Sequence, residues 1–272
     1  MLEIPAYVGQ RYETAGANAA TSTGTVVTAS ATTNTKGSYV ELIASTAFNA
    51  SGFWIRALDP SAQGSFLIDI AIGGAGSEQV IVPNVMFGAL AGTELVLGMF
   101  IPINVPVGSR LSARCQSGGA SLTLAVEVIL LGCGIYPDHN SIGIAEAIGA
   151  NTGTSQGTTL TPNATADTYS AWVELIASTA HPIRSLGFTL STATDGTKGD
   201  TMYMTDIAIG GAGSEQVILS KLPSNIFASG DYMIPQTLGP FAINIPAGSR
   251  IAARTKASGA SAEGFEIAGI GV

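Results

Sequence analysis

Few residues of this chain are of a type and spacing to do chemistry. His139 and His181 are its only histidines, and each stands alone, His181 in a loop before Pro182. Serine, histidine and aspartate can converge from distant positions, but no motif sets a nucleophile beside either histidine. No pair of carboxylates is marked out by position for glycoside hydrolysis either. Cys115 and Cys133, the only cysteines, are spaced as neither a zinc pair nor a redox CxxC. In a hairpin turning near Gly118 and Gly119, Cys115 would face about residue 122, so two reduced, packed thiols are expected. Asp195 and Asp200 in "TDGTKGD" lack the spacing of a calcium loop. Asn49 and Asn163 begin glycosylation sequons, which matter only in a secreted protein. The expectation is a protein with no catalytic residue, no cofactor and no metal.

The stretch "DIAIGGAGSEQVI" occurs at Asp69 to Ile81 and again, letter for letter, at Asp206 to Ile218. A glycine-rich loop that cradles phosphate needs a following Lys and a helix start; neither copy has that Lys, and "SEQVIV" alternates like a strand. Gly73, Gly74 and Gly76 therefore predict a turn between two strands. "VPVGSR" and "IPAGSR" predict further turns at Pro106 and Gly108 and at Pro246 and Gly248. The arginines that follow, Arg110 and Arg114 and then Arg250 and Arg254, could hold an acidic partner or carboxylates of the same domain such as Glu41 and Glu174.

What positions these groups is a duplication. "VELIAST" at Val40 to Thr46 returns at Val173 to Thr179, 133 residues on; the glycine stretch returns after 137, and "INVPVGSRLSAR" after 140 as "INIPAGSRIAAR". Offsets that grow in steps mean loops of unequal length between two copies of one unit. This places an N-terminal arm at 1–12, one domain at 13–136 and a second at 137–272, with a linker at about 134–150 that is expected to be partly helical around Ile144 to Ile148.

Each half reads as short strands at period two. In "FLIDIAIG", Phe66, Ile68, Ile70 and Ile72 share one face and Asp69 and Ala71 the other; the second copy repeats this with Asp206 outward. Eight candidates fill the first half: "TVVTAS", "YVELIAS", "GFWIRAL", "FLIDIAIG", "EQVIVP", "LVLGMFI", "RLSARCQ" and "LTLAVEVILLG". The fold class predicted is all-β, two tandem, duplicated jelly-roll-like β-sandwich domains.

Composition narrows the function classes. Only 11% of residues are charged, against 46% hydrophobic and 34 glycines. A free enzyme's surface usually carries more charge, whereas a surface covered by neighbours need not. A net charge of -8, with no basic run to override it, argues against a phosphate-backbone binder. The start "MLEIPAYVGQ" lacks the features of a signal peptide, and "LTLAVEVILLG" is too short to span a bilayer, so no membrane association and a soluble, intracellularly made product are expected.

"VELIAST", "DIAIGGAGSEQVI" and "INIPAGSRIAAR", set among short Gly-, Ala-, Ser- and Thr-rich strands, resemble virion structural proteins of tailed bacteriophages, particularly jelly-roll capsid decoration or cement and tail-associated proteins. The resemblance implies a protein that works by assembly in a virion put together in the host cytoplasm. Its expected partners are itself, as a homotrimer or other homo-oligomer, and the major capsid protein or other virion proteins. Leu2, Ile4, Pro5 and Tyr7 of the arm are the expected partner contacts. The alternative is a tail or fibre module that binds a host surface glycan, for which Trp54 and Trp172 are the candidate platforms.

Overall fold

The computed structural model describes residues 11–18, 20, 23–89, 97–132, 144–191, 201–226, 236–260 and 263–272. Leu2, Ile4, Pro5, Tyr7, Cys133, His139, Asp195 and Asp200 lie outside them.

The first half holds β1 (Arg11–Ala15), β2 (Thr25–Thr28), β3 (Val40–Ile43), β4 (Gly52–Leu58), β5 (Gly64–Ile72), β6 (Gln79–Ala89), β7 (Leu97–Ile101), β8 (Leu111–Ser117) and β9 (Thr123–Gly132). The second holds β10 (Glu146–Ile148), β11 (Thr158–Leu160), β12 (Val173–Ile176), β13 (Ile183–Ser191), β14 (Thr201–Ile209), β15 (Gln216–Ile226), β16 (Gln236–Ile245), β17 (Ile251–Ala257) and β18 (Phe265–Gly271). All named pairings are antiparallel and stay within one half. β1-β9-β4-β7, with β2 also on β9, faces β3-β8-β5-β6 in the first half; β10-β18-β13-β16, with β11 on β18, and β12-β17-β14-β15 repeat the plan in the second. Apart from β1–β2 and β5–β6, and their counterparts β10–β11 and β14–β15, strands that follow one another in sequence lie in opposite sheets, a jelly-roll-like arrangement.

Period-two alternation places the cores. Phe66, Ile68 and Ile70 of β5 meet Leu111, Ala113 and Cys115 of β8 and, from the facing sheet, Phe53, Ile55, Val126 and Val128. In the second half Tyr203 and Ile207 meet Ile251, Ala253, Phe188 and Ile267. The Tyr203 and Phe265 rings stand edge to face at 5.2 Å, and the Tyr203 hydroxyl donates to Glu263 O. Fully burying one such side chain contributes about 1.5–3 kcal/mol, so these aromatics are a main support of each sandwich.

Three sequence expectations are corrected. The segment around Ile144 to Ile148 is not helical: Glu146–Ile148 is β10, paired with β18 as β1 pairs with β9. Arg11 and Tyr12, assigned to the arm, are the first residues of β1. β8 and β9 do not form a hairpin, because the chain crosses between sheets after Ser117; Cys115 instead lies opposite Ile68, with its Sγ 3.8 Å from Val27 O. This crossing also adds a further offset step: Thr25 pairs with Val126 and Thr158 with Ile267, so β18 repeats β9 after 141 residues.

The halves touch through unlike surfaces. The outward face of the β10-β18-β13-β16 sheet lies against β6 and β7, the edge strands of the first sandwich. Ala145 and Ile270 are buried with the first half's core, and Ala268 packs with Leu67 and Met86. Ala145 N donates to Ile81 O and the Thr237 hydroxyl to Gly98 O. Small residues permit the approach: a Cβ on Gly88 would fall 1.5 Å from Ser191 Oγ.

Candidate functional site

The repeated thirteen residues build a turn held by side chains. Gly73 and Gly76, and Gly210 and Gly213, have positive φ, which an L side chain rarely adopts. Glu78, within the stretch, accepts from Gly76 N and from Arg110 Nη1; Arg110 Nε also donates to Glu41 Oε2 at 2.7 Å, and its Nη1 to Gly73 O. The second half repeats every bond, with Arg250 on Glu174, Glu215 and Gly210 O. Glu78 and Glu215 sit below the ordinary carboxylate range, held there by backbone donors first and then by the arginines. Identity of the two stretches is explained by this shared turn, whose polar groups are occupied by the chain itself. The sequence offered Glu41 and Glu174 as one alternative, beside an acidic partner, but not Glu78 and Glu215, although their place inside the identical stretch was the available signal.

A second duplicated cluster surrounds Asp69 and Asp206. Both lie on the sheet face opposite the core, but Asp206 is not outward in the sense of solvent: both aspartates are buried. Asp69 accepts from Lys36 Nζ at 2.7 Å, Arg114 Nε at 2.9 Å and Asn84 N. Asp206 accepts from Arg254 Nε and Nη2, from Lys221 N and from the Tyr169 hydroxyl at 3.0 Å. Burial lowers the Lys36 pKa, opposed by Asp69, and raises that of Tyr169, reinforced by its bond to Asp206. Tyr39 lies over Arg114, whereas Tyr169 and Trp172 both lie over Arg254 within 4.5 Å. Trp172 is therefore half-buried, with a ring face occupied by guanidinium. The pull of each arginine toward a buried carboxylate explains why these groups pair inside the domain.

A polar bridge joins the halves. Ser155, in the stretch "GTSQG", has positive φ and is buried; its hydroxyl donates to Asn34 Oδ1 and accepts from Gln116 Nε2. Its partners include no histidine. His181 is exposed, and among the described residues no three His, Cys, Asp or Glu side chains gather as a metal site. Asn49 Oδ1 accepts from Val107 N and Asn163 Oδ1 from Thr165 N, so both serve loops. Burial pushes the Cys115 thiol up to about 12. No helix among the described residues is long and apolar enough to cross a membrane.

Exposed apolar groups are more concentrated. Tyr12, Val26 and Trp54, respectively opposite Leu131, Ala125 and Ile129 of β9, share the outward face of the β1-β9-β4-β7 sheet. Tyr12 is 78% and Trp54 39% exposed, and the Arg56–Glu127 ion pair lies one step further along β9, between the levels of Trp54 and Val26. On the second half Met202 and Val217 are exposed on the outward face of β14 and β15. Register assigns Gly187, not the aromatic Phe188, to the place of Trp54, since Gly187 lies opposite Ile270 as Trp54 lies opposite Ile129.

No protein-family model matches the chain, and no curated protein does. Among solved structures it is similar to the CBM22-1–CBM22-2 tandem of Paenibacillus barcinonensis Xyn10C, with 11% identity, 96% of this chain and 90% of that one covered, and a TM-score of 0.29. It is also similar to PNGF-II, with 10% identity, 96% and 64% covered and a TM-score of 0.34. For tripeptidyl peptidase 2 the identity is 8%, with 97% and 23% covered and a TM-score of 0.25. Likeness at this level carries neither an activity nor a ligand.

Proposed function

We propose that this chain is a non-enzymatic virion structural protein, most specifically a capsid decoration or cement protein that bridges and stabilises capsid subunits. The observation that supports this best is the gathering of Tyr12, Val26 and Trp54 on one sheet face. A face of this kind buries against another protein surface, whereas a small molecule needs a concave site. The low charge of the chain suits the same reading, since interface centres are depleted of charged side chains. The duplicated polar clusters fit it too, because their groups are spent within the fold.

In this reading the first domain begins with β1 at Arg11 and the second spans 137–272, and Leu2, Ile4, Pro5 and Tyr7 of the arm contact a neighbour. The partners are further copies of the chain and the major capsid protein or other virion proteins; nucleic acid and membrane are not among them. Labelled imaging of purified tailed-phage particles tests it: label spread over heads supports decoration, and particles free of the protein refute it. Deletion of residues 1–10 should lower attachment, and unchanged attachment would remove the arm from the proposal.

A second reading has one observation in its favour. Trp54 and Tyr12 lie on the same face with β9 between their strands, as a flat platform for a host surface glycan requires. Binding on a glycan array, lost in Trp54→Ala and combined with label at the fibre tip, would favour it over decoration.

A further inference from the structure

Each half of this chain has a face and an edge, and among the described residues one of each forms the contact between the halves. The used face is the outward side of β10-β18-β13-β16; the used edge is β6 and β7. Their counterparts, the outward side of β1-β9-β4-β7 and the edge formed by β15 and β16, are left without each other.

Matched positions show what the contact changes. Ala145, the counterpart of Tyr12, is 2% exposed, while Tyr12 is 78% exposed. Ile270 is buried against the first half, while its counterpart Ile129 is half-buried. On the edges, Ile81, Val82 and Val85 of β6 are buried, whereas Ile218, Leu219 and Leu222 at the same places on β15 are only partly so. Leu238 and Ile243 of β16 are likewise partly exposed, where their counterparts Met99 and Ile103 are buried. The second sandwich thus has an open, aliphatic edge of the kind that its own sheet face covers on the first.

We propose that copies of this chain join head to tail, with the β15–β16 edge of one copy seated on the outward face of the β1-β9-β4-β7 sheet of the next. The proposal rests on the assembly reading and names its partner as a second copy. It repeats between chains the joint that each chain makes within itself. Such a joint is heterologous, so it continues until rotation closes a ring; a homotrimer would be a ring of six sandwiches. The two faces differ in how they meet an edge. Gly187, Thr189 and Ala268 allow close approach inside the chain, whereas Trp54, Arg56 and Glu127 stand at those places on the free face. Trp54 then serves as the anchoring aromatic that a joint between separate chains needs.

Native mass measurement of the full chain, over about a hundredfold range of concentration, tests this with two variants. Trp54→Lys spoils the face and Leu222→Lys the edge, and each should weaken self-association by about 30-fold or more. An equimolar mixture should give heterodimers that grow no further, because one good face and one good edge remain. A monomeric wild type, or variants that assemble like wild type, would overturn the proposal. So would a mixture that stays monomeric. Trp54→Lys changes an exposed side chain, so it decides the matter alone, by its effect on self-association, if Leu222→Lys does not fold. Monomers that still label heads would overturn this inference and leave decoration standing; oligomers absent from every particle would do the reverse.

Discussion

Trp54 and Gly187 occupy one position in the two halves, Trp54 opposite Ile129 on β9 and Gly187 opposite Ile270 on β18. The first half exposes an indole where the second brings a bare backbone against Met99, whose Cε would meet a Cβ on Gly187 at 2.6 Å. One scaffold therefore carries two different surfaces, one fitted to its own neighbour in the chain and one that exposes the indole. The consequences can be measured.

Gly88 and Ser191 meet across the contact between halves, with no room for a Cβ on Gly88. Gly88→Ala should destabilise the protein by about 1–3 kcal/mol, the usual cost of overpacking. Adding Ser191→Gly should recover part of that loss in denaturant unfolding. A Gly88→Ala protein as stable as wild type would mean that the halves do not approach so closely.

Among the described residues Asp69 neutralises two cations, Lys36 and Arg114, whereas Asp206 pairs with Arg254 alone, whose charge also rests on Tyr169 and Trp172. Asp69→Asn should cost about 3–5 kcal/mol, the penalty for leaving a buried charge unpaired. Asp206→Asn should cost less, about 1–3 kcal/mol. Lys36→Met in the Asp69→Asn background should restore part of the loss, since the two effects share one contact. Equal costs for the two aspartates would contradict this account.

Glu266 is buried with one oxygen bonded to the Thr159 hydroxyl and the other, Oε2, without a hydrogen-bond partner among the described residues. Burial raises its pKa above the ordinary 4.5. A raised folded-state value means that the contribution is favourable below about pH 4.5 and is lost as pH rises through the folded-state pKa. Glu266→Gln should therefore raise stability at pH 7 by about 1–3 kcal/mol, with the advantage shrinking toward pH 4. A pH-independent difference in melting would show that ionisation is not its cause.

Cys115 is fully buried and its thiol is pushed up to about 12, so it stays protonated at pH 8. In a Cys133→Ser protein, a thiol reagent should leave Cys115 unmodified until denaturant is added. Rapid labelling of the folded protein would place Cys115 outside the core.

Much of the scaffold was legible because a half-buried strand writes its faces into alternate residues. All eight candidates in the first half are strands β2 to β9. β1, "RYETA", escaped because it carries no apolar alternation and is placed by its pairing with β9. β10 looked helical because Ile144 and Ile148 are spaced as on one helix face; its place on β18 decided otherwise. Alternation put Asp69 opposite the core but could not tell whether that face was covered, since the cover comes from Lys36 and Arg114, distant in sequence. The surfaces were least legible. Gly187, Thr189 and Ala268 look unremarkable in the sequence, and their meaning emerges only when β6 and β7 lie against them.

The central claim, that this chain acts by attachment to a virion, is tested most directly by labelled imaging of intact tailed-phage particles carrying it. The account predicts label in regular array over the head, reduced when residues 1–10 are deleted or Trp54 is replaced by Lys. Label confined to a fibre tip, or no label on any particle, would contradict it.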